Sequence, residues 1–517
     1  MKIKLSDERL GPLPDDQLDR LSRRDLLCLL RTEHRLRVHL EGYVSQLEDK
    51  VFELDGLYFR IKSKLFGRSS EKSKPPERRP RSGGSRKSRK TSPRLPSERY
   101  PDAEIIDKHI TCEVIPSCRA CGNQMVDSGL TETSEYLTVI PKQYLIVRQH
   151  RHKYRCSCCH GDIVTTPPIP RVIPGSAYSD ELIIDAALSK YCDLIPMERY
   201  TEMARRGGFA GLPPQSLIAA VIRLAEYLMV CYFRLRTEVL AQRVLLADET
   251  PHRMLEGDER RGWYLWGFLS DDSCFYECHD TRSGEVASKI LIDSSCEVLL
   301  TDVYSGYKRA VREANDVRNE QQVTKALIKV AYCNAHARRG FKNGNDVVAV
   351  DAKHMVDSYR EIYKLEASAK GLGADTILAK RQEMRPYFES MRTHAERHAA
   401  EYSEKSTLGK AFNYFLENYT GLTCFLTDPE VPIDNNASER ILRPHVLGRK
   451  TWYGTHSIES AKAAAIHFSL IQSCKLIGLN PRTYYRESVA RIQAKKMPLT
   501  PKEMAAELTD FATRDSS

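Results

Sequence analysis

At 517 residues the chain is too long for a single hydrophobic core, and about three or four domains are expected. Its apolar content of 41% suits globular domains, while the lack of any run of about 18 uncharged apolar residues argues against a membrane-spanning helix. The start, MKIKLSDERLGPLPDDQ, lacks the apolar stretch of a signal peptide, so a cytoplasmic chain is expected, with its 15 Cys as thiols or metal ligands rather than disulfides.

In chain order, residues 36–65 carry Leu36, Leu40, Val44, Leu47, Val51, Leu54, Tyr58, Ile61 and Leu65. From Leu40 the steps alternate between four and three, which predicts a coiled-coil seam within a helical segment 1–66 and hence a homo-oligomer. Residues 68–99 hold twelve Lys or Arg against three Glu, a surplus of nine within a net charge of +10. This Pro-, Ser- and Gly-rich stretch predicts a disordered linker over 67–100, suited to a polyanion such as DNA.

The next segment, 101–172, contains CRACGNQM at 118–125 and YRCSCCHGD at 154–162. Cys118 and Cys121, with Cys156 and Cys159, give two thiolate pairs at the spacing of a closed tetrahedral zinc site, and Cys158 or His160 could substitute. Between them SEYLTVI and YLIVRQHRHKYRC read as β-strands. Residues 173–242 read as helices, beginning at a Ser cap in SDELIIDAALSKYC. Two of them are joined by a Gly/Pro turn, as in a helix-turn-helix, although other helical hairpins share that pattern.

From residue 243 to 344 the pattern changes to three strands (VLLADET, GWYLWGFLS, CFYECHD), a helix, then two strands each ending in chemistry. Asp248 closes VLLAD and Asp302 closes EVLLTD, so both carboxylates are expected at the C-terminal edge of a sheet, where ligands bind. In YCNAHARRGF, Cys333 and His336 form a metal pair or a structural pair at a helix start. Residues 345–430 read as a helical insertion. In 431–475, PIDNNASERILRP predicts a short helix, opened by Asp434, Asn435 and Asn436 and stopped by Pro444, that carries Glu439 between Arg440 and its neighbours. Three converging carboxylates need a cation, and Mg²⁺ or Mn²⁺ suits oxygen ligands. Glu249 and Asp434 are rivals for the site; Asp293 and Asp351 have weaker settings. Arg440 and Arg443 are suited to phosphates, and Arg449, Lys450 and Trp452 to a splayed DNA end, with Trp452 equally able to be a core residue. A helical tail is expected over 476–517.

The set of KLFGRSSEK, HKYRCSCC, SKYCDLIPMERYTEM, ADETPHRM, LLTDVYSGY, YCNAHARRGF, DNNASERILRPHVLGRKTWYGT and ESAKAAAIHFSLIQSCKLIGLNPRTYY, in this order, resembles the DDE transposases of bacterial insertion sequences, in particular the Insertion Sequence 66 family. The resemblance implies a multidomain α+β chain. An RNase H-like α/β core with a helical insertion would follow a coiled coil, a zinc-binding β module and a helical, helix-turn-helix-like DNA-binding segment. It implies Asp248, Asp302 and Glu439 as the catalytic triad and as Mg²⁺ ligands, and Cys118, Cys121, Cys156 and Cys159 as zinc ligands. Its expected activity is cleavage at element ends and strand transfer into target DNA. Its expected partners are terminal inverted repeats, target DNA and small accessory proteins of the same element, in a nucleoid-associated cytoplasmic setting with no membrane. The readings that compete are a catalytically silent DNA-binding regulator and a nuclease that cuts without joining.

Overall fold

The computed structural model describes residues 95–514, apart from 102, 111–114, 118, 126–130, 159–162, 256–261, 321–324 and 345–348. The heptad segment, nearly all of the basic linker, Cys118, Cys159 and His160 therefore lie outside the described residues. The chain divides into two compact units, Met1–Thr138 and Val139–Ser517.

In the first unit a helical turn at Pro96–Arg99 is held by Ser97, whose N–H and hydroxyl both donate to Glu135. Further on, a bridge between Ser117 and Gln124 closes a tight turn containing Cys121. Gly122 has φ of +77° in that turn, a conformation costly to any residue with a Cβ.

The second unit opens with a hairpin of β1 (Lys153–Arg155) and β2 (Ile163–Thr165). This is where expectation and structure part first: of the two long strands predicted between the Cys pairs, only 153–155 is paired. Leu137 and Val139 are exposed, as are Leu145, Ile146 and Val147. β-branched composition records a preference for a pleated, half-buried surface, and without a partner strand the preference is not realised.

Four helices follow: α1 (Asp180–Tyr191), α2 (Met197–Arg206), α3 (Pro214–Tyr227) and α4 (Met229–Leu240). Ser179 caps α1 as expected, accepting from the Leu182 N–H. The sheet is built from β3 (Val244–Pro251), β4 (Tyr264–Leu269), β5 (Cys274–His279), β6 (Val298–Thr301) and β7 (Lys329–Tyr332), in the order β5-β4-β3-β6-β7. β3, β4 and β5 run antiparallel in sequence, and β6 and β7 join β3 in parallel. Parallel pairing requires crossovers. These are α5 (Gly284–Asp293), before β6, and α6 (Ser305–Glu320), before β7, the second of which was not foreseen.

α7 (Asn334–Gly344) leaves β7 and leads into the helical insertion, formed by α8 (Ala349–Ala369), α9 (Ala374–His398) and α10 (Thr407–Glu417). The insertion is rooted by Arg381, which pairs with Glu366 and donates to the carbonyls of Phe425 and Asp428. Asp428 in turn takes a two-pronged contact from Arg243, at the start of β3.

The chain returns through α11 (Asn436–Trp452), α12 (Ile458–Leu476), α13 (Pro481–Gln493) and α14 (Pro501–Arg514). α12 is buried nearly all round, and its Ser469 and Ser473 hydroxyls accept the Tyr276 and Cys274 N–H groups of edge strand β5. The open edge is thereby satisfied without a further strand. α11 corrects the short helix predicted from the sequence: Pro444 lies inside it and the helix runs on to Trp452. A proline removes one helical hydrogen bond, at roughly 3 kcal/mol. Burial of Ile441, Leu442 and His445 on either side of it offsets that loss.

Candidate active site

β3 and β6 are in parallel register, with Leu246 opposite Leu300. Two residues on from this pair stand Asp248, still in β3, and Asp302, just past the end of β6, so both carboxylates lie at the same end of neighbouring parallel strands, and the charge of Asp302 is felt at Asp248. Successive side chains of a strand alternate between faces, so Asp248 and Glu249 point to opposite sides. Glu249 is fully engaged: its Oε1 accepts from Arg282 at 2.7 Å and its Oε2 from the Tyr307 hydroxyl at 2.6 Å. That leaves Asp248, whose Oδ1 accepts only the neighbouring Glu249 N–H at 2.9 Å among the described contacts. Asp302 Oδ1 accepts the Tyr304 N–H at 3.1 Å, which orients it at the strand end.

The N-terminus of α11 is pinned to this edge. Asn435, 1% exposed, donates from Nδ2 to the Ala247 carbonyl at 2.9 Å, and its N–H is directed to Cys333 Sγ at 3.2 Å. The expected Asn435 cap is not made, because the side chain is used across the sheet instead. Asp434 accepts the Asn436 N–H and the Tyr363 hydroxyl at 3.1 and 3.0 Å, a supporting role that removes it as a rival. One turn along, Glu439 faces the same edge. Its Oε1 lies 3.6 Å from His336 Nε2 and 3.8 Å from an Arg339 nitrogen.

The electrostatics agree with convergence. Burial, then the charges of Glu249, Asp302 and Glu439, push the Asp248 carboxyl up to about 7. An all-oxygen donor set in which burial first, and mutual repulsion second, disfavour the charged form of one member is the environment a divalent cation relieves. The residues present therefore fit Mg²⁺ in type and charge. The arrangement is open: among the described residues, the group whose ligating atoms all lie within 4.8 Å of one another is Asp351, His394 and His398, elsewhere in the chain. Glu439 is turned toward His336 and Arg339.

A family model described as Transposase IS66 family matches residues 175–463, which spans this whole edge. The chain belongs to the IS66 family of transposases. A second model, the zinc-finger binding domain of transposase IS66, matches residues 116–160. Three proteins of Sinorhizobium fredii (strain NBRC 101917 / NGR234) are similar, each at 27% identity and each described as uncharacterized. The protein y4hP aligns over 76% of this chain and 73% of its own length, and y4jD over 73% and 74%.

The remaining candidates of this IS66-family chain separate cleanly. Arg440, Arg443 and Lys450 are exposed on α11. Arg449 is half-buried and donates to the Pro251 carbonyl at the end of β3. Trp452 is half-buried, edge-on to Tyr191 with ring centres 6.1 Å apart, so it packs rather than projects. Cys333 is buried and its thiol is pushed up to about 11, which disfavours a metal-binding thiolate. Cys333 and His336 thus serve different partners, Asn435 and Glu439, and are not a ligand pair. Cys121, Cys156 and Cys158 are exposed.

Sequence reasoning missed Arg339 and the stacked pair His252 and His445. The two rings sit 5.2 Å apart, with His252 Nε2 2.7 Å from the Thr455 hydroxyl. Burial holds both neutral, His252 at about 4. They join the residue that follows β3 to α11. A visible signal for Arg339 was its position three residues after His336 on the helix that leaves β7.

No single helix among the described residues is long and apolar enough to cross a membrane.

Proposed function

We propose that this chain is a DDE transposase that cuts DNA at the ends of its element and joins them to a target, with Asp248, Asp302 and Glu439 as its catalytic carboxylates. One observation carries the reading: Asp248 of β3 and Asp302 just past β6 lie at the same end of parallel neighbouring strands, and Asn435 ties α11, the helix of Glu439, to the Ala247 carbonyl. The sheet order, three antiparallel strands followed by two parallel ones, supports an RNase H-like core. Mg²⁺ or Mn²⁺ bound there would activate the attacking oxygen and stabilise the leaving one.

The chain's own residues do the rest. Asp248 and Asp302 supply fixed carboxylate oxygens. Glu439 supplies a third once it leaves His336 and Arg339, which hold it beside the edge. Arg440, Arg443 and Lys450 lie along the solvent side of α11 and suit phosphate contacts, with Arg449 and Trp452 positioning that helix and the segment after it. Cys118, Cys121, Cys156 and Cys159 hold structural zinc in the region matched by the zinc-finger model, and that region and the basic linker contribute to DNA binding. Residues 36–65 pair protomers so that two element ends are handled together, and small accessory proteins of the same element act as further partners.

The test is a paired gel-shift and strand-transfer assay with labelled element ends and Mg²⁺. Glu439→Gln keeps shape but loses a charge; joining should fall by orders of magnitude while end binding persists. Near-normal joining by Glu439→Gln would refute the triad. Cleavage without joining by the natural chain would make it a nuclease, and binding without either would make it a regulator.

A further inference from the structure

The helical insertion holds a cluster that the strand-transfer reading does not use. Asp351 and His354 stand one turn apart on α8; His394 and His398 stand four apart on α9, on one face of that helix. The ligating atoms of Asp351, His394 and His398 all lie within 4.8 Å of one another. His394 Nε2 is 3.6 Å from Asp351 Oδ1, and His398 Nδ1 is 3.9 Å from Asp351 Oδ2. Both gaps are too long for hydrogen bonds. They are close to the edge of a tetrahedron drawn with metal–ligand bonds of about 2.0–2.1 Å.

Three further features point to a bound cation. His394 Nε2 is buried without a hydrogen-bond partner, a cost that native interiors rarely leave unmet. The carboxylate of Asp351 is already oriented, since its Oδ2 accepts the Tyr402 hydroxyl at 2.7 Å. Such an outer hydrogen bond is what ligating carboxylates carry in metal sites. The His394 ring is flanked by two others, His354 at 4.4 Å and His398 at 4.5 Å between centres. The rings are tilted by 36° and 40° rather than stacked, and the arrangement gathers nitrogen donors in one place. Against the site stands Glu401, whose Oε2 lies 3.1 Å from His398 Nδ1 and would have to give up that contact.

We propose that Asp351, His394 and His398 form a transition-metal site of the zinc type, a clip between α8 and α9. Two imidazoles and one carboxylate suit Zn²⁺, Co²⁺ or Ni²⁺ rather than Mg²⁺. The fourth position is left to water, or to His354 or Glu401 after a rotamer change. The clip ties the two long helices of the insertion together close to where α10 returns, and it is separate from the carboxylates of the sheet edge.

The experiment uses the full chain and separates this site from the paired cysteines. A Cys121→Ser, Cys156→Ser variant is stripped with chelator, then dialysed against Zn²⁺ in excess Mg²⁺, and its zinc content and melting are measured. It should retain about one zinc per chain and melt higher with it. Adding His398→Gln or Asp351→Asn should abolish both, and Tyr402→Phe should weaken zinc binding about 10-fold. If the Cys variant does not fold, Co²⁺ on the natural chain answers instead. His398→Gln should then remove visible absorbance that lacks a thiolate charge-transfer component. Zinc content or Co²⁺ absorbance that ignores His398→Gln and Asp351→Asn overturns the proposal. So does a folded Cys variant that binds no zinc.

Discussion

Two regions of this chain gather residues of metal-ligating type, and they do so differently. At the sheet edge, Asp248, Asp302 and Glu439 come from three elements far apart in sequence, are oxygen donors throughout, and stay open because Glu439 leans to His336 and Arg339. In the insertion, Asp351, His394 and His398 come from two neighbouring helices, include imidazoles, and are already closed to within 4.8 Å. Like charges repel, so a site made only of carboxylates closes when its cation arrives; a site with a single carboxylate among imidazoles can close beforehand. An open oxygen site suits turnover and a closed mixed site suits structure.

The largest effect expected from that contrast is at Asp248. Asp248→Asn should lower strand transfer by about 10³-fold or more, as for loss of a principal electrostatic contributor. The same change should leave melting in chelator unchanged or raised, because it removes a charge that burial and three neighbours oppose. A loss of both activity and metal-free stability would mean that Asp248 is a packing residue. Asn435→Ala should come next. It removes the tether to the Ala247 carbonyl, costs about 1–2 kcal/mol of stability, and displaces Glu439. A displacement of about 1 Å would cut joining roughly 10²-fold. Joining at the natural rate would release α11 from that duty.

A smaller, pH-dependent effect follows from the same carboxyl. The folded-state value of Asp248, about 7, stands above the ordinary carboxylate range, so the folded chain binds that proton more tightly than the unfolded one. Its contribution to stability is full below about pH 4 and is lost as pH rises through about 7. Mg²⁺ competes with the proton. The rise in melting temperature on adding Mg²⁺ should therefore be slight at pH 5.5 and several degrees at pH 8, as read by calorimetry. A rise that is equal at both values would place the ion elsewhere.

The strands of the sheet were legible because VLLAD and EVLLTD are short apolar runs that end in a carboxylate, and buried parallel strands read that way. Local sequence barely separates Asp248 from Glu249, because Arg282 and Tyr307, which occupy Glu249, are distant in sequence. SEYLTVI had strand composition and no strand, since pairing depends on a partner that local sequence does not name. Local rules make Pro444 a stop because they hold the cost of a proline in a helix but not the burial of Ile441 and Leu442 that outweighs it. The insertion is legible as helical, but its sequence gives Asp351 only a weak setting as a catalytic candidate. HAERH held the signal, two histidines four apart, and the third ligand lay more than forty residues upstream.

The smallest effect expected is at Arg443. It lies exposed on α11, three residues from Arg440 and away from the buried side that Ile441, Leu442 and His445 present to the core. A guanidinium there that contacts one phosphate releases about one condensed counterion on binding DNA. Arg443→Ala should therefore weaken binding of element ends by only a few-fold at low salt, and should reduce the slope of log affinity against log salt by about 1. Strand transfer at saturating DNA should be largely kept, because Arg443 is not among the carboxylates and its loss leaves the Asn435 tether intact. The measurement is a salt series of gel shifts on the natural and variant chains, with joining assayed at the highest DNA concentration. An unchanged slope would take Arg443 off the DNA path and make the open side of α11 an ordinary solvated surface. A collapse of joining at saturating DNA would instead put Arg443 beside the reacting phosphate.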